Sequence, residues 1–372
     1  MKKRFLSAGL AVVMAASLTA CGGSGSASTT TAAAGEAKAE GESKAAESSA
    51  AADGASFKIG GIGPVTGGAA VYGLAVQHGA EIAVKEINEA GGINGYPVEF
   101  QFQDDEHDAE KSVNAYNTLK DWGMQALIGT TTSTPCTAVV EETHSDNMFQ
   151  LTPSATAVDS IQYDNAFRMC FSDPNQGSAS ADYIAENKLA TKVAIIYNSS
   201  DTYSSGIYQT FATEAKAKGL DVVAAEAFTA DNKTDFSVQI QKAKDAGAEL
   251  VFLPIYYQEA SLILAQANKA GFTPKWFGCD GMDGILDLDG FDANLAEDLM
   301  FLTPFTANAT DEATQKFVAD YKDAFGSTPI QFAADAYDCV YVIKAAAEKE
   351  NVTPDKSVSD ICDALKKGMT EI

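Results

Sequence analysis

The sequence is short of positive charge, of histidine and of paired cysteines, and each shortage excludes a class of function. Lysine and arginine number 26 against 51 aspartates and glutamates in 372 residues, a formal net charge of −25. So acidic a surface repels nucleic-acid phosphates and anionic headgroups, so neither nucleic acid nor a lipid surface is expected as a partner. The three histidines, His78, His107 and His144, are scattered, and His78 reads as a partly exposed surface residue within a helical run. The six cysteines include no CxxC pair. They suggest neither a zinc site nor a disulfide framework, and Cys136, Cys170, Cys279, Cys339 and Cys362 are expected as mostly buried thiols. No run of about 18 apolar residues is present to read as a membrane-spanning helix.

Catalytic and nucleotide motifs are missing as well. GxxxxGK[ST], GxSxG and HExxH do not occur. Gly61-Ile62-Gly63-Pro64-Val65-Thr66 fails as a dinucleotide loop, because Thr66 replaces the third glycine and Pro64 removes a phosphate-facing N–H. Asp287-Leu288-Asp289-Gly290 lacks the spacing of the remaining calcium ligands. Asp104-Asp105-Glu106-His107-Asp108 reads as a solvated helix start, its acids favoured by the dipole. No catalytic constellation, metal site or cofactor motif survives, and an enzyme is not expected.

What is present begins with an address. Lys2, Lys3 and Arg4 precede a mostly apolar run from Phe5 to Leu18, followed by Thr19, Ala20 and Cys21. A basic start, a short apolar stretch and small residues before a cut describe a secretory signal over residues 1–20. The ending resembles the bacterial lipobox, which implies acylation of Cys21. From Gly22 to Ala55 only Gly, Ser, Ala, Thr, Glu, Lys and Asp occur, too little apolar area to offset the entropy of ordering. Residues 21–55 therefore read as a flexible tether on a lipid anchor. Its five acids and two lysines cancel the three bases of the signal, so the whole charge falls on the body.

From Phe57 onward, short β-rich runs alternate with longer helix-period segments. Strands are expected at Phe57–Gly63, Val98–Gln103, Ala126–Gly129, Met148–Thr152, Lys192–Tyr197, Val222–Phe228, Leu250–Leu253, Lys275–Gly278 and Leu299–Leu302. Helices are expected at Gly73–Glu89, Glu110–Trp122, Ile207–Lys218, Phe236–Ala246 and Gln258–Ala270, with Gly219, Gly247 and Gly271 as C-caps. Alternation at this spacing predicts parallel sheets covered by helices on both faces. Nine strands exceed one comfortable sheet, so the fold class is α/β with two doubly wound lobes. A ligand then binds beyond the carboxyl ends of the strands, in the crevice between them.

Several segments in order carry a resemblance. They are Ile59-Gly60-Gly61-Ile62-Gly63-Pro64-Val65-Thr66-Gly67 with Tyr72-Gly73 and Gly79-Ala80, then Asn88-Glu89-Ala90-Gly91-Gly92-Ile93-Asn94-Gly95. Asp104-Asp105, Ile128-Gly129 before Ser133, Thr152-Pro153-Ser154-Ala155-Thr156 and Tyr203-Ser204-Ser205-Gly206 follow. Together they resemble the solute-binding proteins of ABC transporters of the branched-chain amino acid type, with the periplasmic-binding-protein type I fold. The resemblance implies two lobes joined by a three-strand hinge, with crossings near Pro174, Pro304 and Thr353. Lobe 1 would comprise 57–174 plus 304–355, and lobe 2 would comprise 175–303 plus 356–372. It implies an amino acid ligand, an ABC permease as partner, no cofactor, a monomer, and a place at the cell surface or in the periplasm.

The same resemblance assigns residues. The loops at Ser133 and at Ser154 and Thr156 would hold the ligand carboxylate. Ser133-Thr134-Pro135 reads independently as an N-cap with proline in the first turn, and such a helix end suits a carboxylate. Asp280 would receive the ammonium, Tyr203 and Tyr256 would face the ligand from the second lobe (with Tyr257 a one-residue slip away), and Tyr72 would line the side-chain pocket. An amide, urea or carboxylate ligand on the same fold, or an extracellular sensor module, are the rival readings. Two departures stand out. His107 aligns with a cysteine that some family members pair in a disulfide. The sequence also ends at Ile372, just after the helix expected at Ser357–Lys367, where the family continues with strands bearing a GxxGxxxFD stretch. Uncovered sheet edges are expected there.

Overall fold

The computed structural model describes residues 54–372. The expected signal, Cys21 and nearly all of the tether lie outside the described residues. The first lobe holds strands β1 (Phe57–Gly63), β2 (Val98–Asp104), β3 (Ala126–Ile128), β4 (Phe149–Thr152) and β5 (Ala166–Arg168), with helices α1 (Ala70–Glu89), α2 (Ala109–Trp122) and α3 (Ser133–Asp146). The second holds α4 (Asp173–Glu186), β6 (Lys192–Asn198), α5 (Thr202–Ala217), β7 (Asp221–Phe228), α6 (Ser237–Asp245), β8 (Leu250–Leu253), α7 (Tyr257–Lys269), β9 (Lys275–Gly278) and β10 (Met300–Phe301). Helices α8 (Glu312–Phe325), α9 (Gln331–Lys349) and α10 (Val358–Met369) follow.

Each sheet has five parallel strands, in the orders β2-β1-β3-β4-β5 and β10-β9-β8-β6-β7. Every residue of β3, β4 and β8 is buried, as strands covered on both faces must be; β3 and β8 are short apolar runs, while in β4 the buried Gln150 and Thr152 donate to the Gly129 and Thr130 carbonyls at 2.9 and 2.7 Å. Strand order reverses beside β1 in one sheet and beside β6 in the other. Crevices open at the carboxyl ends of strands at such points. The glycine caps behave as expected: Gly219 has φ of 77°, and the Leu220 N–H bonds back to the Ala215 carbonyl at 2.9 Å, closing the end of α5.

Three expectations need correction. The short edge strand β5 was not foreseen, because Ala166-Phe167-Arg168 is too brief to show a period. Asp105 is not part of a solvated helix start: it is fully buried and accepts from the His107 N–H at 2.9 Å, while Asp108 alone caps α2 through the Lys111 N–H. Residues 356–372 belong with the first lobe. Helix α10 packs on α9 and β4 and buries Ile361, Cys362 and Leu365, while Asn147 bonds to Ser359 Oγ at 2.7 Å. The chain thus crosses between lobes over residues 169–172 and 302–311, and the crossing expected near Thr353 is not made. An amphipathic helix goes to the nearest uncovered apolar face, and here α9 offers it. The five described cysteines are all unpaired, and Cys170 alone of them is not buried.

Candidate functional site

A small space of about 10 Å3 lies between the lobes, lined by Thr131, Thr132, Ser133, Ser154, Tyr203, Tyr256, Asp280, Gly281 and Phe332. That is far below the roughly 300–1,000 Å3 usual for ligand pockets, so the lining side chains nearly fill the space between the lobes. All but Phe332 follow the carboxyl end of a parallel strand: β3, β4, β6, β8 or β9. Of the expected site residues, Ser133, Ser154, Tyr203, Tyr256 and Asp280 meet here. Thr156 does not line the space, and Tyr72 stands behind its aromatic wall.

On the first-lobe side, α3 begins one residue earlier than a Ser133 cap would require. Thr132 occupies the N-cap position and Ser133 is the first helical residue, with Pro135 in the first turn. The Ser133 hydroxyl accepts from the Ala157 N–H at 3.2 Å, and Ser154 Oγ donates to the Thr131 carbonyl at 2.7 Å. The N–H groups of Ser133 and Thr134 stand at the helix start, where no carbonyl of their own helix can meet them. Thr156 is spent differently: its hydroxyl donates to Asp173 Oδ1 at 2.5 Å, and its carbonyl accepts from Arg168 at 2.7 Å. Its side chain ties the first lobe to the start of α4.

On the second-lobe side, Asp280 is the centre. Its Oδ1 accepts from the Tyr203 hydroxyl at 2.8 Å and the Gly281 N–H at 3.0 Å, and its own N–H donates to Gln176 Oε1 at 3.1 Å. From α9, Gln331 Nε2 donates to the Asp280 carbonyl at 3.0 Å. Burial raises the Asp280 carboxyl to about 6, although the Tyr203 hydroxyl, Gln176 side chain and Gly281 N–H pull it down. Asp283 lies close, also raised by burial to about 6, and burial pushes Asp173 to about 8. This is a strongly acidic interior, and buried carboxylates call for a cation.

The wall is aromatic. Tyr256 stacks on Tyr203 with centroids 4.8 Å apart and planes 8° from parallel, and meets Tyr72 and His107 edge-on at 5.6 and 5.3 Å. Its hydroxyl is buried and has no partner among the described residues. Tyr257 points elsewhere, its Oη accepting from the Val71 N–H at 3.4 Å, so Tyr256 is the residue of the pair that lines the space. Tyr72 is fully buried and stacks on Phe332 at 4.2 Å.

Sequence reasoning missed Phe332, Gln176 and Gln331, which lie on helices with no motif around them. It placed His107 in a solvated helix start and noted it as a departure from the family, with no role at the site. In the structure His107 sits at the cleft mouth, Nδ1 2.9 Å from Thr132 Oγ1 and Nε2 3.8 Å from Asp201 Oδ2 of the other lobe.

Comparison with known proteins gives a consistent picture. Residues 56–371 match the periplasmic binding protein family. The chain is 31% identical over 319 residues to Leu/Ile/Val-binding protein homolog 3 of Brucella melitensis, covering 84% of each. It is 30% identical over 313 residues to the leucine-, isoleucine-, valine-, threonine- and alanine-binding protein of Pseudomonas aeruginosa, covering 82% of this chain and 81% of that protein. Among solved structures it is similar to the branched-chain amino acid transporter substrate-binding protein LivJ of Streptococcus pneumoniae in complex with isoleucine. That match has a TM-score of 0.76 and 30% identity, over 83% of this chain and 87% of the other. The leucine-binding protein LivK of Thermotoga maritima aligns with a TM-score of 0.74 and 27% identity, over 83% and 87% respectively.

Proposed function

This chain belongs to the periplasmic binding protein family, and on that premise we propose that it is the solute-binding receptor of an ABC importer for a branched-chain or related amino acid. One observation carries the ligand class: Ser133, at the start of a helix whose first N–H groups have no carbonyl of their own helix, shares the lining of one small interlobe space with the buried acid Asp280. A zwitterion matches that pairing, its carboxylate on the donors and its ammonium on Asp280. In this reading the Ser133 and Ser154 loops hold the carboxylate and Tyr203 aligns Asp280. Tyr256 and Phe332 wall the side chain, with Tyr72 behind them, and Thr156 braces the site through Asp173. No turnover is required.

The ligand is captured as the lobes close, because only the closed state touches it from both sides. Micromolar affinity needs about −8 kcal/mol, within reach of a small ligand with both charges matched. Outside the described residues, 1–20 act as an export signal, Cys21 carries the lipid, and the following segment tethers a monomeric receptor on the outer side of the membrane, within reach of its permease. The relatives' binding of leucine, isoleucine and valine supports this assignment.

The test is a thermal-shift scan of purified protein, unfolded and refolded to strip bound ligand, against the twenty amino acids, urea and short amides. A ligand at 100 times its Kd adds about 2.7 kcal/mol. A shift confined to leucine, isoleucine, valine and close relatives is expected. A shift with urea or amides alone would overturn the amino acid assignment.

A further inference from the structure

Tyr72 does something that its place behind the pocket wall does not require. It stands in the first turn of α1, where Gly73 lets the helix press on the loop just after β1: a Cβ at Gly73 would lie 1.9 Å from the Pro64 carbonyl oxygen. Its hydroxyl is directed away from its own lobe. It donates to the Gly281 carbonyl at 2.5 Å and accepts from the Tyr257 N–H at 3.1 Å, and both partners are backbone groups of the second lobe. Around this pair of bonds the lobes meet closely. The Val71 N–H reaches Tyr257 Oη at 3.4 Å, and Gly68 lies so near Gln258 that a Cβ there would overlap its side-chain oxygen at 2.1 Å.

We propose that the Tyr72 hydroxyl is an interlobe latch, a positioning group that sets how long the cleft stays closed whatever ligand is inside. The argument is one of satisfaction. The Tyr257 N–H is at the start of α7, where no carbonyl of that helix can reach it. The Gly281 carbonyl lies in a short turn whose other bonds run from Asp283 N–H to Asp280 and from Met282 N–H to Cys279. With the cleft open, both groups meet water. With it closed, both are buried, and the Tyr72 hydroxyl satisfies them together. Phenylalanine keeps the ring against Phe332 and Tyr257 but leaves a buried donor and a buried acceptor unpaired in the closed state alone. The penalty therefore falls on closure and not on folding, and it is the same for every ligand.

The experiment compares Tyr72→Phe with wild type by titration calorimetry and stopped-flow against leucine, isoleucine and valine. The expected result is a uniform weakening of about tenfold, equivalent to about 1.4 kcal/mol, carried in faster dissociation. A change under about twofold overturns the latch. So does an uneven loss that reorders the three ligands, since that is the mark of a pocket contact. These affinity measurements rest on the amino acid reading above; a second measurement does not. Small-angle scattering of both ligand-free proteins should show the variant with the larger radius of gyration. Equal radii overturn the latch, while absence of any amino acid binding by wild type overturns the ligand assignment alone.

Discussion

At the scale of single residues, Asp280 carries the electrostatics of the site. Its carboxyl titrates near 6 because burial outweighs its hydrogen bonds. An ammonium needs the ionised form, so acidification through 6 protonates the acceptor and removes the charge that the ligand would meet. The Kd for leucine is expected to be flat from pH 8 to 6.5, then to rise by up to about tenfold per pH unit below 6. Asp280→Asn should bind at least about thirtyfold more weakly at pH 7.5, since truncating one partner of a buried charged pair costs about 2–5 kcal/mol. Its affinity should also lose the pH dependence. Calorimetry across pH on both proteins checks this; an unchanged profile in the variant would transfer the titration to Asp173 or Asp283.

At the scale of elements, α10 shows how an amphipathic segment finds its place. Ser357 caps it, accepting from the Asp360 N–H at 3.1 Å, and Leu365, 1% exposed, enters the first-lobe core beside α9. Leu365→Ala leaves a cavity there and should destabilise the protein by about 2–5 kcal/mol. Because α10 touches the site nowhere, leucine affinity should stay at the wild-type value in the folded fraction. Denaturant unfolding followed by calorimetry separates the two effects. The pairing of α1 with α7 is of another kind, since its bonds join different lobes and bear on opening more than on folding.

At the scale of the molecule, the buried acids make ligand-free stability depend on pH. Burial lifts Asp173 to about 8, Asp105 to about 7, and Asp280 and Asp283 to about 6, all above the carboxylate value of an unfolded chain. The folded state thus holds more protons than the unfolded one in this range, so stability falls as pH rises. Ligand-free Tm should be higher at pH 6.5 than at pH 8. Below 6.5 the gain is offset, because burial holds His78 and His107 under their ordinary value and their protonation favours unfolding. Scanning calorimetry in matched ionic strength measures it, and a Tm that rises steadily from pH 6.5 to 8 would contradict the burial of these acids.

Much of this protein is decided locally, and that part was legible in the sequence. A short, mostly apolar run between turn residues marks a strand, so Leu250–Leu253 and Lys275–Gly278 could be placed to the residue. Helices must end where a backbone can turn left-handed, so Gly219, Gly247 and Gly271 marked their ends. Loops after parallel strands gather at one edge of a sheet, which brought Ser133, Ser154, Tyr203, Tyr256 and Asp280 to one cavity. The tertiary structure decided what depends on a partner far along the chain. Residues 166–168 become a strand only because β4 offers an edge. Helix α10 has the same amphipathic pattern whichever lobe it covers, and α9 supplied the open face. Thr156 and Asp173 are separated by a strand, and Tyr72 and Gly281 by most of two lobes. A hydroxyl's periodicity and neighbours say nothing of which distant group it will satisfy, because a hydrogen bond is assigned by proximity in the folded chain.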